Sequence, residues 1–220
     1  MRFSFPVRTP NFIQKILPGL HFSVQTNEKV LYLTFDDGPL PHLCPWILEC
    51  LRQHEAKACF FLVGENAAAN PDLVNRILAE GHSIGNHTHN HLNGFKTLSR
   101  NYLSNVKACQ EILQPNLKTD EAPMFRPPYG KIRPAQIRNL RSEGYEIVMW
   151  DVLSRDYDAS QTAEQLYQNV VENVKPGSIL VLHDNIKAER NLRIALPRIL
   201  KTLGDQGYRF EAIRFPFAKD

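Results

Sequence analysis

What most limits the folds open to this chain is an alternation. Short apolar runs and amphipathic stretches succeed one another about seven times along 220 residues. The runs at 30–35, 58–63, 82–85, 124–126, 146–150, 178–182 and 208–213 read as strands bounded by polar or turn-forming residues. Between them, Leu43, Trp46, Ile47 and Leu51 recur at helical spacing within 41–55. Leu98, Tyr102, Val106, Cys109 and Leu113 do the same within 98–113. Asn70 as cap and Pro71 as first residue open a helix that Gly81 closes. Pro134 starts another that Gly144 ends, and further helices are expected over 163–174 and 189–203, with a kink at Pro197. This order predicts one α/β domain with mainly parallel strands, as an open sheet or a barrel.

With 43% apolar residues the chain can bury one sizeable core, so residues 28–220 are expected to form a single domain. Residues 1–27 read as a lead-in interrupted by Pro6, Pro10 and Pro18, in which Phe12, Ile13, Ile16, Leu17 and Leu20 form a short amphipathic turn. The 26 basic and 23 acidic residues are dispersed and give a net charge of +3. That balance points to neither nucleic acid nor an anionic membrane. No continuous apolar signal region and no run of membrane-spanning length is present, so a cytoplasmic location without stable membrane insertion is expected. Cys44, Cys50, Cys59 and Cys109 lack Cys-x-x-Cys spacing and are expected as buried thiols, neither disulfides nor zinc ligands.

The chemically rich residues follow predicted strands: Asp36 and Asp37, His87 to His91, Arg126, Asp151 to Asp156, and His183. In parallel sheets and barrels that is the end where sites assemble. Two adjacent carboxylates at the mouth of a buried strand repel unless a cation or shared proton compensates, although a solvated Asp-Asp-Gly turn has the same spelling. His87 and His91 are four apart, so on one helical turn both imidazoles face one cation while His89 points elsewhere. Two histidines and one carboxylate leave coordination positions open, as at catalytic metals. Arg126-Pro127-Pro128-Tyr129-Gly130 is a rigid strand exit that holds Arg126 and the Tyr129 amide, and Arg126 is expected to grip a carboxylate bidentately. Trp150 and Tyr157 flank the acidic stretch after the fifth strand and suit a sugar face, though Trp150 reads first as a core residue. His183, at a strand tip, offers a titratable donor near neutral pH or is simply a structural histidine.

Taken in order, Thr34-Phe35-Asp36-Asp37-Gly38-Pro39, His87-Thr88-His89-Asn90-His91, Arg126-Pro127-Pro128-Tyr129, Asp151 to Tyr157 and Leu182-His183 resemble the motifs of the polysaccharide deacetylase (NodB-homology) family, carbohydrate esterase family four. The resemblance implies a distorted (β/α) barrel, usually seven-stranded, that binds Zn²⁺ or another divalent ion such as Co²⁺, Ni²⁺ or Mn²⁺. It implies Asp37, His87 and His91 as metal ligands, Asp36 as general base with Arg126 as its partner, and His183 as general acid oriented by Asp156. Tyr129, Pro128, Trp150 and Tyr157 fall at substrate-contacting positions, and Tyr157 stands where the fourth motif usually carries Trp. The expected reaction removes the acetyl group of an N-acetylated sugar in peptidoglycan, a chitin-like oligomer or a related glycan. A metal-dependent hydrolase of a non-carbohydrate amide, ester or cyclic imide is the alternative on the same barrel; a non-catalytic glycan-binding module is a third reading.

Overall fold

The computed structural model describes residues 6–17, 19–117 and 120–216. Residues 1–5 and Pro18 of the expected lead-in lie outside them. The chain begins with α1 (Asn11–Ile16) and β1 (Leu20–His21). It then runs through β2 (Val30–Asp36), α2 (Cys44–Gln53), β3 (Ala58–Leu62), α3 (Gly64–Ala69), α4 (Pro71–Ala79), β4 (Ser83–Asn86) and α5 (Ser99–Leu113). β5 (Met124–Phe125), α6 (Pro134–Ser142), β6 (Glu146–Val148), β7 (Val152–Leu153), α7 (Ala163–Val171), β8 (Ile179–His183), α8 (Ile186–Asp205) and β9 (Arg209–Phe210) complete it.

Every ladder between named strands is parallel, in the order β1-β6-β5-β4-β3-β2-β8-β7, with β9 paired to the start of β2. β6 and β7 stand near opposite ends of that order, yet only residues 149–151 join them. Four residue steps reach at most about 15 Å, so the sheet must curl until its ends nearly meet. The gap is bridged by the extended N-terminal segment: Leu153 N–H donates to the Val7 carbonyl at 2.7 Å, and Thr9 N–H to the Asp151 carbonyl at 2.8 Å. The result is a distorted, incompletely closed (β/α) barrel, with eight strands in its path where seven were expected.

Strand alternation sorts the side chains of β2. Leu31, Leu33 and Phe35 pack outward into the core shared with α2 and α8, where Ile47, Leu51, Leu196 and Leu200 are fully or almost fully buried. Thr34 and Asp36 face inward, toward Phe61, Met124, Val148 and Ile179. All four cysteines are buried and free, as expected.

Several local expectations are revised. The Asn70 side chain does not cap α4; its amide donates to the Asn66 carbonyl at 2.9 Å, because α3 ends one residue earlier and supplies that acceptor. α8 starts earlier than predicted and continues through Pro197. Within the expected lead-in, Leu20 and His21 pair with Ile147 and Val148, so this stretch forms the sheet's edge.

The connection that forces the curl is anchored by a buried carboxylate. Asp151 accepts from Ser178 Oγ at 2.9 Å and from the Ile179 N–H at 3.0 Å, fixing the start of β8. Asp151→Ala leaves that buried N–H without its acceptor and is expected to lower stability by about 1–3 kcal/mol, read as a drop in the urea midpoint. An unchanged midpoint would show that the anchor is dispensable.

Candidate active site

The strand exits converge at one rim. Asp36 ends β2 and lies opposite His183 of β8 in register, while β4 delivers His87 and β5 delivers Arg126. Beyond Asp36 the chain leaves strand geometry at once: Asp37 has φ 80°, in the left-handed region that Asp tolerates better than most residues. Its carboxylate therefore stays at the rim beside that of Asp36.

Asp37 Oδ1 lies 3.1 Å from His91 Nε2 and 3.6 Å from His87 Nε2. It is buried and accepts no hydrogen bond among the described residues, whereas Oδ2 accepts from the Asn185 amide at 2.6 Å. Burial alone would push the Asp37 carboxyl up, but the His91 imidazole beside Oδ1 and the charges of His183, His87 and His91 outweigh it. The group is held well below the usual carboxylate range. His87 meets the Arg126 carbonyl through Nδ1 at 2.8 Å, which leaves the Nε2 lone pair facing the aspartates. Burial drives its pKa down to about 4 against the opposing pull of Asp36 and Asp37. His91 Nδ1 meets the Tyr129 hydroxyl at 3.1 Å.

One carboxylate oxygen and two imidazole nitrogens thus lie within 4.8 Å of one another, and the oxygen has no hydrogen-bond donor among the described residues. This donor set fits a divalent ion such as Zn²⁺, with a carbonyl behind one histidine and a hydroxyl behind the other. The two histidines do not sit on the expected helical turn. Residues 87–91 form a loop, with Thr88 at φ 64° and His91 at φ 53°, closed by the Leu92 N–H donating to Thr88 Oγ1 at 3.0 Å. His89 lies outside the cluster, beside Gly64, where an added Cβ would come within 2.5 Å of its Nδ1.

Asp36 accepts from Arg126 Nη1 at 2.7 Å through Oδ1, and its Oδ2 is 4.0 Å from His87 Nε2. The expected bidentate grip is absent. The fully buried guanidinium directs three further N–H groups to Thr34 Oγ1 and to the Val148 and Met149 carbonyls. On the far side, Asp156 holds His183 twice, accepting from its backbone N–H and pairing with its Nδ1, each at 2.7 Å. Burial would lower the His183 pKa. The charge and hydrogen bond of Asp156, with Asp37 and Asp36 adding, reverse this and raise it to about 9.

These groups open into a cavity of about 640 Å³ walled by Tyr129, Trp150, Tyr157, Leu153, Val181 and Pro127, a size suited to a small ligand. The Tyr157 ring stands edge-on to His183 with centroids 5.1 Å apart. Pro127 forms the wall where Pro128 was expected; Pro128 is buried inside the turn. Gly130 continues that turn at φ 64° beneath Trp150, where a Cβ would approach Cη2 to 2.7 Å. Leu40, Lys131, Asn185, Ile186 and Lys187 also line the cavity and were missed in the sequence. Of these only Asn185 carried a readable signal, as a residue type suited to capping the helix after His183.

The polysaccharide deacetylase family profile matches residues 23–148. The chain is 37% identical over 193 residues to a peptidoglycan-N-acetylglucosamine deacetylase of Bacillus cereus, covering 87% of this chain and 90% of that protein. It is 34% identical to a chitooligosaccharide deacetylase of Azorhizobium caulinodans over 73% of this chain and 76% of that one. Among solved structures, the Bc1960 peptidoglycan N-acetylglucosamine deacetylase, in complex with an N-oxidanyl-benzamide, superposes with a TM-score of 0.84 at 36% identity, covering 93% of this chain and 95% of that one. With its motifs gathered on one rim of the barrel, the chain belongs to the polysaccharide deacetylase family.

Proposed function

We propose that this protein is a divalent-metal-dependent deacetylase that hydrolyses the N-acetyl group of N-acetylglucosamine units in a peptidoglycan-type or chitin-like glycan. The observation that carries this reading is the convergence in one aromatic-walled cavity of the Asp37–His87–His91 cluster, the Arg126-bound Asp36 and the Asp156-bound His183. Two of the relatives are named for these substrates, which supports the substrate class.

Asp37, His87 and His91 would hold the ion, which when bound supplies Lewis acidity toward a water and an amide carbonyl. Asp36, with one oxygen tied to Arg126 and the other facing the cluster, accepts the proton of the attacking water as it adds to the acetamide carbonyl. The Tyr129 backbone, fixed by the Pro127-Pro128 exit, presents its N–H toward the developing oxyanion. His183 enters the reaction protonated and donates to the departing amine, and Asp156 keeps Nδ1 engaged so that Nε2 does the donating. Acetate and a free amino sugar leave. Tyr129, Trp150 and Tyr157 supply apolar faces for the sugar ring.

The reading is tested by acetate release from N-acetylglucosamine oligomers, peptidoglycan and acetylated xylan, before and after chelation and with metal restored. Release from the N-acetylated substrates that stops on chelation and returns with Zn²⁺ or Co²⁺ is expected; full activity in the metal-free protein would refute it. Asp36→Asn should lower kcat by about 10²–10⁴ while retaining one bound ion per chain. Loss of the ion would mean that the two aspartates have exchanged roles. Because His183 acts as an acid and Asp156 raises its pKa, activity falls as pH rises through that value. Asp156→Asn should therefore move the alkaline limb of kcat to lower pH, and an unmoved limb would assign the proton donor elsewhere.

A further inference from the structure

Asn185 is used at both ends of its amide. It is the N-cap of α8, with φ −144° and ψ 163°, and its Oδ1 accepts the N–H of the buried Ala188 at 2.9 Å. That commitment turns Nδ2 toward the rim, where it donates to Asp37 Oδ2 at 2.6 Å. The two oxygens of Asp37 are therefore inequivalent: Oδ2 is held by a neutral donor anchored to a helix, and Oδ1, without a donor, faces the two imidazoles. Neighbouring contacts brace the same junction. Asp184 N–H donates to the Asp36 carbonyl at 2.8 Å, and Asp184 Oδ2 accepts from the Leu40 N–H at 3.1 Å.

Ser, Thr and Asp cap helices about as well as Asn, so capping alone does not call for Asn. Only Asn combines an acceptor for the helix with a donor long enough to reach a carboxylate. We infer that Asn185 is a positioning residue for Asp37, locking Oδ2 to the N-terminus of α8 so that Oδ1 is preset toward the cation. This rests on the proposed role of Asp37 as a ligand. Carboxylate ligands elsewhere are oriented by hydrogen bonds of this kind, whose loss typically costs 10–100-fold in metal affinity.

Asn185→Ser and Asn185→Thr keep a capping oxygen and remove the reach to Asp37. Zn²⁺ affinity, measured by competition with a chromophoric chelator, should fall about 10–100-fold in both, while the melting temperature of the chelated proteins stays near that of the parent. Parent-like Zn²⁺ affinity in either folded variant would overturn the inference and leave Asn185 as a cap alone. Asp37→Ala separates the two readings, since parent-like Zn²⁺ stoichiometry there would overturn the ligand assignment itself. Should neither cap-preserving variant fold, the Asn185 side-chain amide protons of the parent decide by NMR. Slowed exchange that disappears in Asp37→Ala is expected, and exchange indifferent to Asp37 would refute the contact.

Discussion

The Arg126 guanidinium lies wholly inside the curled sheet, 4.1 Å over the Phe61 ring, and its N–H groups reach Thr34 and Asp36 on β2 and the Val148 and Met149 carbonyls at the end of β6. Its backbone extends the tie, because the Arg126 N–H donates to the Asn86 carbonyl while its own carbonyl meets His87 Nδ1. Removing a charge from water costs several kcal/mol, recovered only when a counter-charge and hydrogen-bond acceptors replace the lost hydration. Here Asp36 is the counter-charge and the carbonyls are the acceptors. The ion pair is thereby coupled to the placement of β2, β4, β5 and β6 at one rim. The grip on Asp36 is single, through Nη1, while Nε and Nη2 turn to the strand-end carbonyls of Val148 and Met149.

The same rim concentrates unusual backbone. Of the non-glycine residues with positive φ among those described, Asp37, Thr88, His91 and Tyr129 lie in the loops of the site, and Arg155 precedes Asp156. Such conformations cost roughly 1–2 kcal/mol each and persist where surrounding structure over-determines them. The four in the site loops have visible holds: the Asp37 carbonyl accepts from Asn66, Thr88 N–H donates to Asn86 Oδ1, and the Tyr129 hydroxyl bonds His91. At Asp37 the benefit is specific. Continued strand geometry would have sent its carboxylate to the face opposite Asp36.

This distinction marks where the sequence was legible. Buried strands such as 30–36 and 179–183 could be read because apolar residues persist until the chain reaches the rim, and their last residues are the polar groups of the site. β7, two residues long, and α3, six, are too short for periodicity to register, and β1 was hidden among prolines. The His-x-x-x-His spacing picked out two histidines that the structure does bring together, but by a different geometry, since a loop with two left-handed residues can bring positions four apart together as a helical turn does. Asn185 went unread because its two hydrogen bonds belong to different levels. One is local to α8, and the other spans 148 residues to Asp37.

Charge completes the account of the rim. Counted at their ionised forms, Asp36, Asp37 and Asp156 face Arg126 and protonated His183, so these five groups together carry one negative charge. Arg126 is spent on Asp36 and His183 on Asp156, so the excess resides on Asp37, the carboxylate whose Oδ1 has no donor. A neutral amide at Asn185 fixes that group without cancelling its charge, whereas a lysine or arginine there would neutralise it and close the position to a cation. The choice of Asn over a charged donor is thus what lets one residue be rigidly held and still present an unshared negative oxygen.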